Sequence, residues 1–228
     1  MKNFLLVLAF TSSSIWGATS RFEIRDLSQR NFISFISDAS LEKFIAQCHL
    51  VKGYISLDPL NLAGGISGEL EVDLRTIASG SQLRDIVIQE QVIESKQYSQ
   101  AMIRLKKWSQ PVTGALKETE AVTYPVEAEV DYRGKTVPLR STLKLTYFKE
   151  GDATRKRLPG NLLKVSGQSD IELSSLGITL ADSLKPLIAS KIQVSFEGVG
   201  TDKLPNDKVL LPEGPKPKER EPASRKSR

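Results

Sequence analysis

The amino-acid sequence predicts an all-β fold, a single antiparallel up-and-down β-barrel of about eight strands with one or two short helical inserts. Apolar and polar residues alternate in segments spread over most of the chain, which is typical of strands with one buried face. Helical spacing occurs only near 81–95 and 181–188. Most connections are short and rich in turn-forming residues: Asp58-Pro59, Ala63-Gly64-Gly65, Arg133-Gly134, Gly151-Asp152 and Pro159-Gly160-Asn161.

The alternating segments give the predicted strands in chain order: 22–24, 31–37, 44–57, 66–75, 100–108, 121–132, 137–149, 163–173 and 191–199. In the fourth segment, Leu70, Val72 and Leu74 point to one side, and the acidic residues between them point to the other. A β-sandwich would show the same period. We prefer the barrel because consecutive strands are long and their turns short, and because closure leaves no exposed strand edge.

The connection after the fourth strand changes to a helical period. Leu83, Ile86 and Val87 lie at helical spacing on one face. At the start of this helix, Asp85 can favour the positive end of the helix dipole while Arg84 reaches a neighbouring strand. The alternative role is a polar gate at the barrel mouth, where Arg84 would meet the headgroup of a ligand.

The two ends of the chain differ from its centre. Residues 1–18 carry one early charge, a short apolar run and small residues near Ala18, which predicts a secretory signal peptide. Residues 19–202 have the length of one barrel domain. Residues 203–228 are rich in Pro, Lys and Arg, which predicts a disordered tail. We expect a periplasmic or otherwise exported protein without a transmembrane segment.

The charge of the chain is concentrated in that tail, which has eight basic and four acidic residues. With Lys2 set aside, the rest of the chain has 23 basic and 23 acidic residues. A nucleic-acid interface shows as a net basic domain or stripe, so we expect no nucleic-acid partner. The tail either only aids solubility or makes a weak contact with a membrane surface or an acidic protein. The sequence leaves the oligomeric state unknown.

The residues that commonly carry catalysis form no constellation. His49 is the only histidine and Cys48 the only cysteine, so a multi-histidine metal site and an intrachain disulfide are excluded. Neighbours in a strand point to opposite faces, so Cys48 and His49 form no dyad. The sequence contains no phosphate-binding glycine loop and no nucleophile elbow. We expect a protein that is not an enzyme and that has no cofactor or metal.

Three short patterns follow one another in a characteristic order. The first is a turn and helix with Arg84-Asp85, followed by Tyr98, and the second is a hairpin with Gly134, Thr136 and Pro138. The third is a corner over 171–178 before a last strand from Lys191. In this order they resemble the YceI-like family of periplasmic lipid-binding proteins. The corner carries Leu176 where an aromatic residue is common, and Ser174 where an arginine often precedes it. The resemblance spans residues 21–200 and implies a lipocalin-like barrel.

The candidate inner face of this barrel is almost wholly aliphatic. Its members are Leu70, Val72, Leu74, Ile103, Leu105, Val126, Val130, Leu143, Leu145, Ile171, Leu173, Ile192, Val194 and Phe196. A barrel of this size can be filled by side chains or can hold one ligand. The resemblance implies an apolar tunnel that holds a long-chain isoprenoid, either a polyprenyl or a quinone-type lipid. We therefore predict a lipid carrier, with these residues around the ligand and Arg84 at the mouth.

Two other functions stay open. The first is a filled barrel without ligand, which would act as a stress-response or interaction module and use its tail as the contact. The second is an enzyme that acts on isoprenoid or quinone substrates. This enzyme would need an ionisable group inside the barrel, for which His49 and Arg84 are the candidates.

Overall fold

The structure, a computed structural model, describes residues 19–25 and 28–203. The predicted signal peptide, and the predicted tail beyond Lys203, lie outside the described residues. Within the described part, every helix is too short or too polar to cross a membrane.

Ten strands form one antiparallel sheet in the described part of the chain. Their bounds are β1 Ser20–Arg25, β2 Phe32–Asp38, β3 Lys43–Cys48, β4 Val51–Leu57, β5 Ile66–Asp73, β6 Gln100–Trp108, β7 Ala121–Tyr132, β8 Lys135–Phe148, β9 Leu162–Glu172 and β10 Lys191–Thr201. The sheet order is β1-β4-β5-β6-β7-β8-β9-β10-β2-β3, and a further pairing of β1 with β10 closes the barrel. The predicted barrel is therefore confirmed.

The barrel wall has eight strands because the first four strands act as two long, bent ones. β1 and β2 both pair with β10, and only His49 and Leu50 separate β3 from β4. β10 pairs with β2 over residues 193–197 and with β1 at Thr201, which leaves a gap in the ladder at the bend. There the side-chain amide of Asn31 bonds to β10 instead, since its Oδ1 accepts from the backbone of Val199 at 3.0 Å. Asn31 is 1% exposed, so this buried amide needs that partner.

Local chemistry explains the tightest turn, between β7 and β8. Arg133 and Gly134 both adopt positive φ angles, 52° and 71°. Two consecutive residues of this kind form the two-residue hairpin whose twist matches that of the strands. The glycine adopts its angle without the steric cost that a side chain would bring.

The helical segments differ in part from the predicted ones. Helix α1, Gln82–Val87, continues into a π-helical turn, Ile88–Val92. Leu83 and Ile86 share a face of α1, but that face is exposed to solvent. The predicted second insert at 181–188 is a series of turns, and the segment at Gly151-Asp152, predicted as a turn, contains the four-residue helix α2, Asp152–Arg155.

The two ends of the barrel are built differently. At the end that we name the capped end, residues 74–99 and 173–190 connect β5 to β6 and β9 to β10, and the β7–β8 hairpin lies between them. At the opposite end, the packed end, the interior is filled by large side chains that are at most 1% exposed: Phe22, Leu57, Leu62, Leu145 and Leu163. Any interior space is therefore confined to the middle of the barrel and its capped end.

One seam interrupts the wall. The ladder between β8 and β9 ends at the pair Thr142 and Gln168, although β8 continues to pair with β7 as far as Lys135. Pro138 lies in this stretch of β8, and proline is tolerated in strands where its nitrogen faces no partner. β8 and β9 therefore lack backbone pairing from Ser141 towards the capped end.

The outer face of the wall carries paired charges. Arg104 contacts Glu69 and Asp131 on the two neighbouring strands, and Lys52 contacts Glu71 at 3.0 Å. Such exposed pairs each contribute about 0–1 kcal/mol. The acidic residues of β5 therefore form a solvated, ion-paired surface on the side of the wall opposite the interior.

Candidate functional site

Alternation in the strands gathers the apolar residues inside the barrel. Leu70, Ile103 and Val130 face one another across β5, β6 and β7, in one row. All the apolar candidates on the inner face are buried or half-buried. The strand period therefore places them on the inner side of the wall.

An upper chamber lies beneath the capped end and has a volume of about 110 Å³. The strands line it together with residues 74–99 and 173–190, which we name the covering segments. The lining residues are Ile33, Phe35, Ser37, Phe44, Ala46, Val72, Leu74, Ile77, Ile88, Val92, Ile93, Ala101, Ile103, Val130, Tyr132, Ile171, Leu173, Leu176, Ile178, Ile188, Ile192 and Val194. The π-helical turn explains part of this lining, because it directs Ile88 and Val92 inward. In α1, by contrast, Leu83 and Ile86 are exposed to solvent.

The few polar groups of the upper chamber already have partners. The hydroxyl of Ser37 accepts from the backbone of Ala189 at 2.9 Å, and the hydroxyl of Tyr132 donates to the carbonyl of Ile93 at 2.5 Å. Burial raises the pKa of Tyr132, so this hydroxyl stays protonated and keeps donating. The upper chamber is therefore an apolar space suited to a hydrocarbon chain.

A lower chamber of about 80 Å³ adjoins it in the middle of the barrel. Ile103 and Val194 line both chambers, and we name this pair the neck. The other residues around the lower chamber are Tyr54, Ile55, Gly68, Glu69, Leu70, Leu105, Val126, Ala128, Leu139, Ser141, Leu143, Val165, Gly167, Gln168, Ser169 and Phe196. The two chambers thus lie next to each other along the barrel, with the neck residues between them.

Thirteen of the fourteen predicted interior residues line one of the two chambers: Leu70, Val72, Leu74, Ile103, Leu105, Val126, Val130, Leu143, Ile171, Leu173, Ile192, Val194 and Phe196. Leu145 lines neither, because it lies at the packed end and is fully buried there. Sequence reasoning missed the chamber residues from β2, β3 and the covering segments. The alternation of Ile33, Phe35 and Ser37 was a signal that could have revealed those from β2.

Arg84 lies outside both chambers. Its guanidinium pairs with Glu42, donates to the hydroxyl of Ser79 at 2.9 Å and lies over the ring of Phe44 at 4.7 Å. Asp85 accepts from the backbone of Ser79 at 2.7 Å. These contacts hold α1 against the edge of β3. Of the two roles considered for Arg84, they correspond to contact with a neighbouring strand and not to a polar gate at the barrel mouth.

Arg133 holds the capped end together. Its guanidinium donates to the carbonyls of Val92 and Gly177, one in each covering segment, and pairs with Glu94 at 2.8 Å. The same group stacks over the ring of Tyr98 at 4.7 Å. One side chain from the β7–β8 hairpin therefore ties both covering segments to the barrel.

Replacing Arg133 with Met is expected to loosen the capped end. The variant leaves the carbonyls of Val92 and Gly177 without their donor, which should cost about 1–3 kcal/mol of stability. Hydrogen exchange should accelerate in residues 88–99 and 173–180, while the strands at the packed end keep their protection. Arg140→Met, at an exposed position of β8, is the matched control. Equal exchange rates in the two variants would contradict the role of Arg133.

Cys48 is fully buried at the end of β3, and burial raises the pKa of its thiol to about 12. An unfolded chain releases this proton near pH 8.5, so stability is fully present below that pH and falls as the pH rises towards 12. We expect the wild-type protein to lose about 2 kcal/mol more than Cys48→Ala between pH 8 and pH 10. Urea unfolding at both pH values measures this difference, and parallel losses in the two proteins would contradict it.

The described residues 19–25 and 28–203 contain no group of three or more His, Cys, Asp or Glu side chains placed to hold a metal ion. His49 lies between β3 and β4, where its Nδ1 is 3.0 Å from the carbonyl of Gln29 and its ring contacts Phe32. It lines neither chamber.

The fold and its interior define a class of protein, a lipocalin-like barrel in which eight antiparallel strands close around apolar chambers. A family model for the YceI-like domain matches residues 26–199, and the chain belongs to that family. The predicted family membership is thereby confirmed.

Solved structures show the same fold. BcnA from Burkholderia cenocepacia is 15% identical, with a TM-score of 0.57, and the match covers 75% of this chain and 97% of BcnA. A polyisoprenoid-binding domain from Saccharophagus degradans, implicated in plant cell wall breakdown, is 16% identical with the same TM-score, covering 81% and 99%. The YceI protein of Campylobacter jejuni is 14% identical with a TM-score of 0.55, covering 90% and 100%. No curated protein sequence matches the chain.

Proposed function

We propose that this protein is an exported, non-catalytic carrier that binds a long-chain isoprenoid, either a polyprenyl or a quinone-type lipid, in the interior of its barrel. The observation that carries the proposal is the pair of adjoining chambers, the upper one apolar and the lower one mostly apolar, that meet at Ile103 and Val194. The polyisoprenoid-binding domain from Saccharophagus degradans, which has the same fold, supports the choice of ligand class.

The driving force is desolvation of the chain. Each CH₂ group that leaves water gains about 0.8 kcal/mol, and a long isoprenoid is too insoluble to cross water unaided. The upper chamber, in which every hydroxyl has a partner, suits such a chain. Since no ionisable side chain other than the protonated Tyr132 lines this chamber, binding without catalysis is the function that its chemistry favours.

The chambers are small for a long ligand. An engineered cavity of about 150 Å³ holds one benzene molecule, so a polyprenyl chain requires the two chambers of about 110 and 80 Å³ to merge and widen. The covering segments 74–99 and 173–190 lie outside the main sheet ladders and can move more easily than the strands. We propose that they move outward when a lipid binds.

The signal sequence and the basic tail complete the proposal. Residues 1–18 would direct the chain out of the cytoplasm. Clustered Lys and Arg in residues 203–228 would add a weak contact with an anionic membrane surface or an acidic protein, at about 1 kcal/mol for each basic residue near the surface. Deleting residues 205–228 is then expected to weaken binding to anionic vesicles and to leave the lipid content of the barrel unchanged.

Mass spectrometry of organic extracts tests the central claim. The mature protein, purified from its native compartment without refolding, should contain about one long-chain isoprenoid per molecule. An empty extract, together with failure to bind added polyprenyl lipid, would overturn the carrier function and favour a filled interaction module. Turnover of an isoprenoid or quinone substrate by the purified protein would instead favour an enzyme.

A further inference from the structure

The seam between β8 and β9 carries two serines that face each other. In the register of this strand pair, Ser141 and Ser169 are the next positions after the last ladder pair, Thr142 and Gln168. The hydroxyl of Ser141 donates to the carbonyl of Gln168, and the hydroxyl of Ser169 donates to the carbonyl of Arg140, both at 2.8 Å. The side chains thus close the seam where the backbone ladder has stopped.

Both serines belong to the lining of the lower chamber. They occupy inward positions of their strands, in one row with Val126 on β7 and with the neck residue Val194 on β10. Gln168 on β9 and Glu69 on β5, both at outward positions of their strands, also border this chamber. The serine pair is therefore a polar spot on an otherwise mostly apolar inner wall, directly beside the neck.

The direction of the two hydrogen bonds determines which kind of ligand group the two serines can bind. A backbone carbonyl can only accept, so each serine proton is committed to the other strand. Each hydroxyl oxygen keeps lone pairs, and no serine proton is left to donate. A ligand group that donates a hydrogen bond gains a partner from the two serines, whereas a group that only accepts gains none from them.

We propose that Ser141 and Ser169 form the headgroup subsite of the carrier and select a lipid whose head donates a hydrogen bond. The ligand is then a long-chain alcohol or a reduced quinol, in preference to an oxidised quinone or an ether. Its head lies at the seam, and its chain passes the neck into the upper chamber. This inference rests on the proposed function, since it concerns the same cavity.

Two ligands that differ only in this property test the inference. Farnesol carries a hydroxyl, and its methyl ether has the same chain without the donor. We measure the binding of tritiated farnesol to the full chain and its displacement by unlabelled farnesol and by farnesyl methyl ether. The wild-type protein should bind farnesol about fivefold to tenfold more tightly than the ether, which is the effect of one net hydrogen bond.

The double variant Ser141→Ala/Ser169→Ala should reduce this preference to less than about twofold, because it lowers farnesol affinity and leaves ether affinity unchanged. Ser166→Ala/Ser195→Ala, at outward positions of β9 and β10, is the matched control and should keep the wild-type preference. If the double variant fails to fold, the two single variants decide, since each should lose part of the preference.

The outcomes separate the two claims. Equal affinity of wild-type protein for the alcohol and the ether, with both bound, overturns the headgroup subsite and leaves the carrier function standing. A preference for farnesol that survives in the folded double variant also overturns the subsite. Failure of the wild-type protein to bind either ligand overturns the carrier function and the subsite with it.

Discussion

Replacing Val194 with Phe is expected to weaken the binding of an isoprenoid chain at least about tenfold while the barrel stays folded. Val194 and Ile103 form the neck between the chambers. The phenyl ring of the variant, which is larger than the valine side chain, therefore blocks the path of a linear ligand. Excluding two CH₂ groups from the cavity loses about 1.6 kcal/mol, which is more than a tenfold change in affinity. Tritiated farnesol binding measures the effect, and circular dichroism verifies the fold.

Val199→Phe is the matched control for this variant. Val199 lies on the same strand, but it packs against Leu158 and Leu162 in a small cluster apart from the main core. The same enlargement there should strain a packed site and cost about 1–3 kcal/mol of stability, with no effect on ligand affinity. If Val194→Phe binds farnesol as the wild-type protein does, the ligand does not pass the neck.

Replacing Leu145 with Ala is expected to lower the free energy of unfolding by about 2–5 kcal/mol and to leave ligand binding unchanged. Leu145 is fully buried at the packed end, so its truncation creates a new cavity that the surrounding strands cannot fill. Urea unfolding measures the stability loss, and farnesol affinity of the folded protein measures binding.

Leu143→Ala makes the comparison informative, because Leu143 lies two residues away on the same face of β8 and lines the lower chamber. Its truncation enlarges an existing space, so we expect a smaller loss of stability and a change in ligand affinity. Comparable effects of the two truncations on both measurements would show that the packed end and the chambers do not differ as the structure implies.

The sequence period predicted which residues face the interior but could not predict which part of the interior is hollow. Leu143 and Leu145 have the same residue type and the same alternation, yet one borders a chamber and the other is tightly packed. The difference arises because β1 and the β4–β5 connection fill the packed end, for example through Phe22 and Leu62. These are contacts between distant segments, which local periodicity does not contain.

The covering segments were also only partly predictable. The spacing of Leu83 and Ile86 indicated a helix correctly, but Leu83 is 79% exposed. The π-helical turn after α1 changes the phase of the helix, so that Ile88 and Val92 face the chamber instead. In β8, Pro138 was a signal of an unpaired edge that could have pointed to the seam.

The pairing of β10 with β1 and β2 has a consequence for how the protein folds. The barrel closes only when β10 pairs with β1 and β2, and the bond between Asn31 and Val199 joins residues 168 positions apart. Contacts of such long range slow folding, because a large loop must be ordered before they form. Of the ten described strands β10 comes last along the chain, so the edges of β1, β2 and β9 that pair with it stay open to association with other chains until β10 is in place. We therefore expect this barrel to fold more slowly than a helical bundle of equal length.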